Sequence, residues 1–342
     1  MIKVLHIVGA RPQFIKLFPL HLEMKERGFN QKILHTGQHF DENMSDVFFN
    51  EMGIPQPDFN LNIHSLPHGA MTGRMIEEIE NILLKENFNH IIVYGDTNST
   101  LAGAIAASKL NINIVHVESG LRNFDFSMPE EINRILTDRV SNVLLCPTEE
   151  CVNNLDKEGI SNSINCGDLM YDAALMFSNK ITPTKEDPYI LVTCHRASNT
   201  NKKTLTEIVE ALNYISEQIR VVLPIHPRTK NILNSLDIDP KFEILEPVGY
   251  LEMLNLIYNS KYIITDSGGV VREAYFFNKP SLLLLENPLW PELISANACI
   301  NCKPTTSLIK KKFNQLGSLN NKFIKGVLGE GNSRKIITDL LC

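Results

Sequence analysis

The chain has 342 residues, of which 43% are hydrophobic, 21% charged and 7% aromatic. At roughly 100–200 residues per domain that length argues for two domains, and the composition excludes disorder, collagen and coiled coil. The 33 Lys and Arg against 39 Asp and Glu leave a formal charge of −6 with no run of like charge beyond Lys310-Lys311-Lys312, so no nucleic-acid partner is expected.

The N-terminus enters a strand over 3–8 without the apolar region or cleavage site of a signal peptide, which predicts a cytoplasmic protein. No apolar run approaches the roughly 18–20 residues that span a bilayer, so no membrane partner is expected. Short apolar runs alternate with helix-patterned segments, the signature of parallel sheets built from βαβ units. Strands are predicted over 3–8, 31–36, 90–94, 113–117 and 142–146. A short helix over 168–175 and a Pro-flanked polar stretch, 181–188, follow, and further strands are predicted over 189–193, 220–224, 242–245, 262–265 and 281–285. The polar stretch sets a boundary between a first domain, 1–180, and a second that begins at 181. Two doubly wound domains keep their ligand crevices at the carboxyl ends of the strands, and a two-domain enzyme of this kind would bind its ligand between them. The seven cysteines are odd in number and scattered, which suits reduced thiols. Cys299-Ile300-Asn301-Cys302 lacks a second pair or a His cluster and reads as ordinary thiols, not a zinc site.

The first strand runs into Gly9-Ala10-Arg11-Pro12-Gln13-Phe14-Ile15-Lys16. Here Gly9 suits a tight strand-to-helix turn, Pro12 suits a first helical position, and Arg11 and Lys16 set two cations at a helix N-terminus, a natural anion site. The third strand ends in Gly95-Asp96-Thr97, ahead of a helix of small residues, Leu101-Ala102-Gly103-Ala104, that can pack close to the sheet. Asp96 at that point is either a helix cap or a crevice carboxylate. The fourth strand delivers Glu118, and Pro129-Glu130-Glu131-Ile132-Asn133-Arg134 starts a helix on which Glu130 and Arg134 share a face. Asp96, Glu118 and Glu130 on one crevice would repel one another and raise at least one pKa, which suits acid–base proton transfer. In the second domain His195 and Arg196 follow a strand, where a donor could meet a phosphate oxygen. The turn Ser267-Gly268-Gly269 opens a helix with Glu273 one turn inside. Exposed N–H groups there favour phosphate and the carboxylate could accept from a ribose diol.

Taken together these motifs resemble the non-hydrolysing UDP-N-acetylglucosamine 2-epimerase family, whose fold is that of the GT-B glycosyltransferases. The resemblance runs from Val4 to about Pro280. Gly9 to Lys16, Thr36-Gly37-Gln38-His39-Phe40-Asp41, His68-Gly69-Ala70-Met71 and Ile225-His226-Pro227-Arg228 look most like the branch acting on UDP-2,3-diacetamido-2,3-dideoxy-glucuronic acid, for surface polysaccharides such as O-antigens. It implies an α/β, GT-B-like pair of Rossmann-like domains with an interdomain cleft, the first rejoined by a C-terminal helix over 332–342 and the second, 181–331, binding UDP. It implies that Arg11, Lys16, His195 and Arg134 surround the sugar and diphosphate. By the same resemblance Asp96, Glu118 and Glu130 are the acid–base carboxylates, and Ser267, Gly268, Gly269 and Glu273 hold diphosphate and ribose. Gln38 and Arg196 are candidates for a second, regulatory site. The family reaction removes the C2 proton, eliminates UDP to give a glycal and adds UDP back. It implies no metal, no nicotinamide and a homodimer. The alternatives are a hydrolysing 2-epimerase and a weakly catalytic nucleotide-sugar-binding relative. One departure stands out: where the family carries an Arg-Asp pair and then Thr-Glu, this chain reads Leu285-Glu286-Asn287-Pro288-Leu289, losing a cation and a hydroxyl.

Overall fold

A computed structural model describes residues 2–38, 52–184, 187–236, 238–320 and 322–342. The chain divides into two compact units, Met1–Met176 with Leu328–Cys342, and Phe177–Val327.

In the first unit β1 (Lys3–Val8), β2 (Asn30–His35), β3 (Phe59–Asn60), β4 (His90–Tyr94), β5 (Asn113–Val117), β6 (Val143–Cys146) and β7 (Ser163–Asn165) form a parallel sheet in the order β3-β2-β1-β4-β5-β6-β7. β1, β4 and β5 are buried beyond their first residues, with helices on both faces, which is why they read as continuous apolar runs. The strand order reverses between β1 and β4, and a ligand crevice is expected at the carboxyl ends of those two strands. The helices α1 (Arg11–Glu26), α2 (His68–Leu83), α3 (Asn98–Lys109), α4 (Pro129–Val140), α5 (Glu149–Lys157) and α6 (Leu169–Phe177) complete the βαβ units. The small residues of α3 bring it down onto the sheet at the reversal: a Cβ on Gly103 would lie 2.8 Å from Ile7 Cδ1 and 3.0 Å from Val93 Cγ1.

The C-terminal helix, Ser333–Leu340, belongs to this unit. Gly167 and Gly329, both at positive φ, approach within contact distance, and the Asp168 amide donates to the Leu328 carbonyl at 3.0 Å. Buried Asp172 then accepts from the amides of Ser333 and Arg334 and pairs with the Arg334 guanidinium at 2.9 Å.

The second unit repeats the plan. Its strands β8 (Tyr189–Thr193), β9 (Arg220–Pro224), β10 (Glu243–Leu245), β11 (Tyr262–Thr265), β12 (Ser281–Leu283) and β13 (Cys299–Asn301) are parallel in the order β10-β9-β8-β11-β12-β13. The reversal falls between β8 and β11. The helices are α7 (Lys202–Ser216), α8 (Pro227–Leu233), α9 (Tyr250–Asn259), α10 (Gly268–Phe276), α11 (Pro291–Ser295) and α12 (Thr306–Phe313). Ile190, Val192, Leu205, Leu212, Ile264 and Leu282 make the core on one face.

Among the described residues, three strands lie outside the predicted set. β3, β7 and β13 are two or three residues long, sit at sheet edges and carry polar residues, so they show no apolar run of their own. The short helix predicted over 168–175 runs to Phe177 and tightens into a 3₁₀ turn, Ser178–Lys180. All seven cysteines are free thiols, including buried Cys299 and Cys302. No helix among the described residues is long and apolar enough to cross a membrane.

Candidate functional site

In the first unit the predicted residues gather at the carboxyl ends of β1, β4 and β5. Lys16, one turn into α1, pairs with Glu118 at 2.5 Å, and the two side chains are 3% and 10% exposed. Glu118 follows β5 with φ +72°, the left-handed region that costs a non-glycine residue about 1–3 kcal/mol. Gly95, also at positive φ, turns the chain out of β4, and the space where its Cβ would stand is 3.4 Å from Lys16 Nζ. Asp96 comes next. It does not cap α3, because Thr97 does so, accepting from the Thr100 amide. The Asp96 carboxylate instead accepts from Arg134 at 2.8 Å.

Arg134 is fully buried. Its Nε donates to Glu131 at 3.0 Å, while its second terminal nitrogen is buried with no hydrogen-bond partner among the described residues. The shared face expected for Glu130 and Arg134 is therefore not an ion pair. Arg134 turns toward Glu131 and Asp96, leaving Glu130 exposed at the first turn of α4. The three carboxylates are nonetheless brought together electrostatically. Burial pushes the Asp96 carboxyl above its ordinary range, Arg134 and Lys16 oppose this, and Glu118 and Glu130 add to it. Asp96, Glu130, Gln38 and His68 share a recess of about 210 Å³. Gln38 accepts from the amide and hydroxyl of Ser99, and His39 to Asp41 lie outside the described residues. Arg11 is the first residue of α1 and half-buried, with Pro12 second rather than first.

Gln13 ties these loops together. Its amide oxygen accepts from the Gly9 and Ala10 amides, and its nitrogen donates to the Tyr94 carbonyl and to Thr97 and Thr100. Neither Gln13 nor Glu131 carries a signal that the sequence reading could weigh, since a glutamine and a second helix-start glutamate look like ordinary surface residues until the fold buries them.

In the second unit buried Asp266, at the end of β11, organises the turn after β8. It accepts from the amides of His195 and Arg196 and from Asn199 Nδ2, and lies 3.3 Å from His195 Nδ1. The His195 ring is half-exposed and 5.8 Å from that of His226. Arg196 Nε donates to the Asp266 carbonyl, bracing the same turn. Ser267 caps α10, its hydroxyl accepting from the Val270 amide, so Gly268 and Gly269 open that helix. Glu273 is buried one turn further on. Arg272 donates to the Gly268 carbonyl and stacks its guanidinium 4.3 Å from the centre of the Trp290 ring. A cation thus stands at the Ser-Gly-Gly turn beside Trp290. No group of three or more His, Cys, Asp or Glu among the described residues is arranged to hold a metal.

Residues 22–342 match the family described as UDP-N-acetylglucosamine 2-epimerase. A UDP-2,3-diacetamido-2,3-dideoxy-D-glucuronate 2-epimerase of Pseudomonas aeruginosa is 49% identical over 307 residues, 86% of this chain and 87% of that protein. The crystal structure of the Methanocaldococcus jannaschii UDP-GlcNAc 2-epimerase in complex with UDP-GlcNAc and UDP superposes with a TM-score of 0.90 at 41% identity, covering 99% of both chains. That of the Neisseria meningitidis enzyme bound to UDP-GlcNAc gives 0.91 at 29%, again over 99% of both. A spinosyn rhamnosyltransferase, 12% identical with a TM-score of 0.58, shares the fold alone. The fold is α/β and GT-B-like.

Proposed function

The chain belongs to the UDP-N-acetylglucosamine 2-epimerase family, and from that premise we propose that it inverts C2 of a UDP-sugar without hydrolysing it. The substrate is of the UDP-N-acetylglucosamine or UDP-2,3-diacetamido-2,3-dideoxy-glucuronic acid class, and the product feeds surface-polysaccharide synthesis. The observation that carries this reading is the Asp96 carboxyl. It is raised above its ordinary range, opens on a recess, and is flanked by Glu118 and Glu130 of like charge and by Lys16 and Arg134 of opposite charge.

In this reading one carboxylate takes the C2 proton as the C1–O bond breaks. The electron pair of that bond leaves with UDP, and a C1=C2 glycal remains. UDP re-adds at C1 while a carboxylate on the other face returns a proton to C2. Arg11, Lys16 and the unpartnered nitrogen of Arg134 stabilise charge as it develops on the departing diphosphate, a contact that strengthens in the transition state. Ser267, Gly268 and Gly269 supply helix-end donors to the diphosphate, Glu273 holds the ribose, and His195, oriented by Asp266, serves the leaving group. Gln38 and Arg196 remain candidates for a regulatory contact.

Incubation with each UDP-sugar in deuterated water, followed by NMR at C2, tests the reading. Deuterium at C2 of an inverted product still carrying UDP supports it, a free sugar points to hydrolysis, and UDP binding without exchange for any sugar overturns it. Asp96→Asn should lower exchange by about 10²–10⁴-fold, the usual weight of a general acid or base, with UDP affinity nearly unchanged. Preserved exchange would remove Asp96 from the acid–base set. The same reading takes the enzyme as a cytoplasmic homodimer, consistent with seven free thiols. Light scattering that returned the single-chain mass of 38.6 kDa would remove the dimer.

A further inference from the structure

Two fully buried residues, His116 on β5 and Asp138 on α4, join the backbones of all three proposed acid–base carboxylates without touching the recess. His116 faces the carbonyl of Gly95 through Nε2 at 2.7 Å, immediately before Asp96. Its Nδ1 faces Asp138 at 2.6 Å. The other oxygen of Asp138 accepts from the Gly120 amide at 3.1 Å and lies 2.7 Å from the Arg122 guanidinium. His116 and Gly120 therefore bracket Glu118, which sits in its left-handed conformation between them. Asp138 lies one turn beyond Arg134 on the helix whose first turn carries Glu130. Arg122 in turn forms a two-pronged pair with Glu158, at 2.7 and 3.0 Å.

The protons on the ring follow from its partners. At His6, the comparable buried histidine, one nitrogen meets the Tyr94 hydroxyl, which donates, and the other meets the Gln31 carbonyl oxygen, so a neutral ring satisfies both. At His116 both partners are oxygens, one a carbonyl and one a carboxylate. Burial works against charge on Asp138, but His116 and Arg122 beside it outweigh that and hold the carboxyl below its ordinary range. An ionised Asp138 and a backbone carbonyl offer no hydrogen, so both ring nitrogens of His116 face acceptors. A protonated His116 with Arg122 would match Asp138 and the partly buried Glu158 in charge, which is the condition under which ionised groups persist away from water.

We propose that His116 and Asp138 are a positioning pair for the epimerisation: the doubly protonated ring anchors the Gly95 carbonyl, and Asp138 gathers ring, Gly120 and Arg122, so that Asp96 and Glu118 keep the spacing that proton transfer to C2 needs. This role rests on the epimerase reading above, and the two fail differently. No exchange in the unaltered chain sinks the epimerase reading, whereas failure of the pair shows only in the variants.

The test uses Asp138→Asn, His116→Gln and His116→Leu in the full chain, each confirmed folded at the assay temperature. Displacing a reacting group by about 1 Å can cost 10²-fold in rate, so Asp138→Asn should lower kcat by about that factor while KM and the UDP dissociation constant stay within about threefold. His116→Gln keeps an N–H for Gly95 and should turn over at least about tenfold faster than His116→Leu. Nitrogen-15 spectra of the unaltered protein at neutral pH should show two N–H resonances for His116. Unchanged kcat in Asp138→Asn, a parallel loss of turnover, UDP affinity and thermal stability, equal rates for Gln and Leu, or a single N–H on the ring would each overturn the proposal.

Discussion

Gly9 is required for space rather than rotation. Its φ is not positive, but a Cβ there would fall 2.1 Å from Thr36 Oγ1 and 2.3 Å from Ser99 Oγ, two buried hydroxyls hydrogen-bonded to each other at 2.8 Å. Gly9→Ala should therefore cost about 1–3 kcal/mol by overpacking, seen as a lower Tm, and an unchanged Tm would show that the hydroxyls move aside freely. His6 gives a pH prediction at the same scale. Burial, helped by His21 and opposed by the Gln31 hydrogen bond, lowers its pKa from 6.5 to about 3. Below pH 6.5 the unfolded chain takes up a proton that the native ring refuses, so this group's contribution is fully present above 6.5. It falls by about 1.4 kcal/mol per pH unit toward pH 3. Denaturant titrations at pH 7, 6 and 5 should show that loss, and His6→Gln should flatten it. Residue chemistry of this kind was partly legible: Asp96 and Glu118 stood out as carboxylates at the ends of apolar strands, and Lys16 and Arg134 as cations on the helices that start beside them. Gln13, Glu131 and Asp266 did not, because their importance comes from partners distant in sequence.

At the scale of elements, the central strands announced themselves as continuous apolar runs, since a parallel strand with helices on both faces has no polar side. The edge strands β3, β7 and β13 are defined by the neighbour they pair with and carry no such pattern. The helix α4 shows the same limit. Spacing placed Glu130 and Arg134 on one face, but burial sent Arg134 to Glu131 and Asp96. The first turn of the C-terminal helix is held by one buried side chain, Asp172, which receives two amides and a guanidinium. Asp172→Asn should weaken those charge-assisted bonds by about 1.5–3 kcal/mol. Hydrogen exchange should then rise first at residues 333–340, and uniform protection there would show that the helix holds by apolar packing alone.

Across the whole molecule, both units are doubly wound sheets whose strand order reverses once, and in each proposed residues lie at or next to that reversal: Lys16 and Asp96 on the segments after β1 and β4, with Glu118 one strand on, and His195 and Ser267 after β8 and β11. A division of labour follows as a prediction. A Cβ on Gly268 would already stand 3.4 Å from the Trp290 indole, so Gly268→Val should obstruct the turn and weaken UDP binding by calorimetry at least about tenfold, a cost near 1.4 kcal/mol. Asp96→Asn should leave UDP binding within about threefold, and equal losses in both would end the division. The fold class, the order of the central strands along the chain and the position of charged residues at strand ends were determined by the sequence itself, because apolar periodicity and turn chemistry are local. Which carboxylates Arg134 holds, that Asp96 is driven toward its neutral form, and that both ring nitrogens of His116 face acceptor oxygens were decided only by the tertiary structure. Burial and the partners brought in from distant segments set those energies.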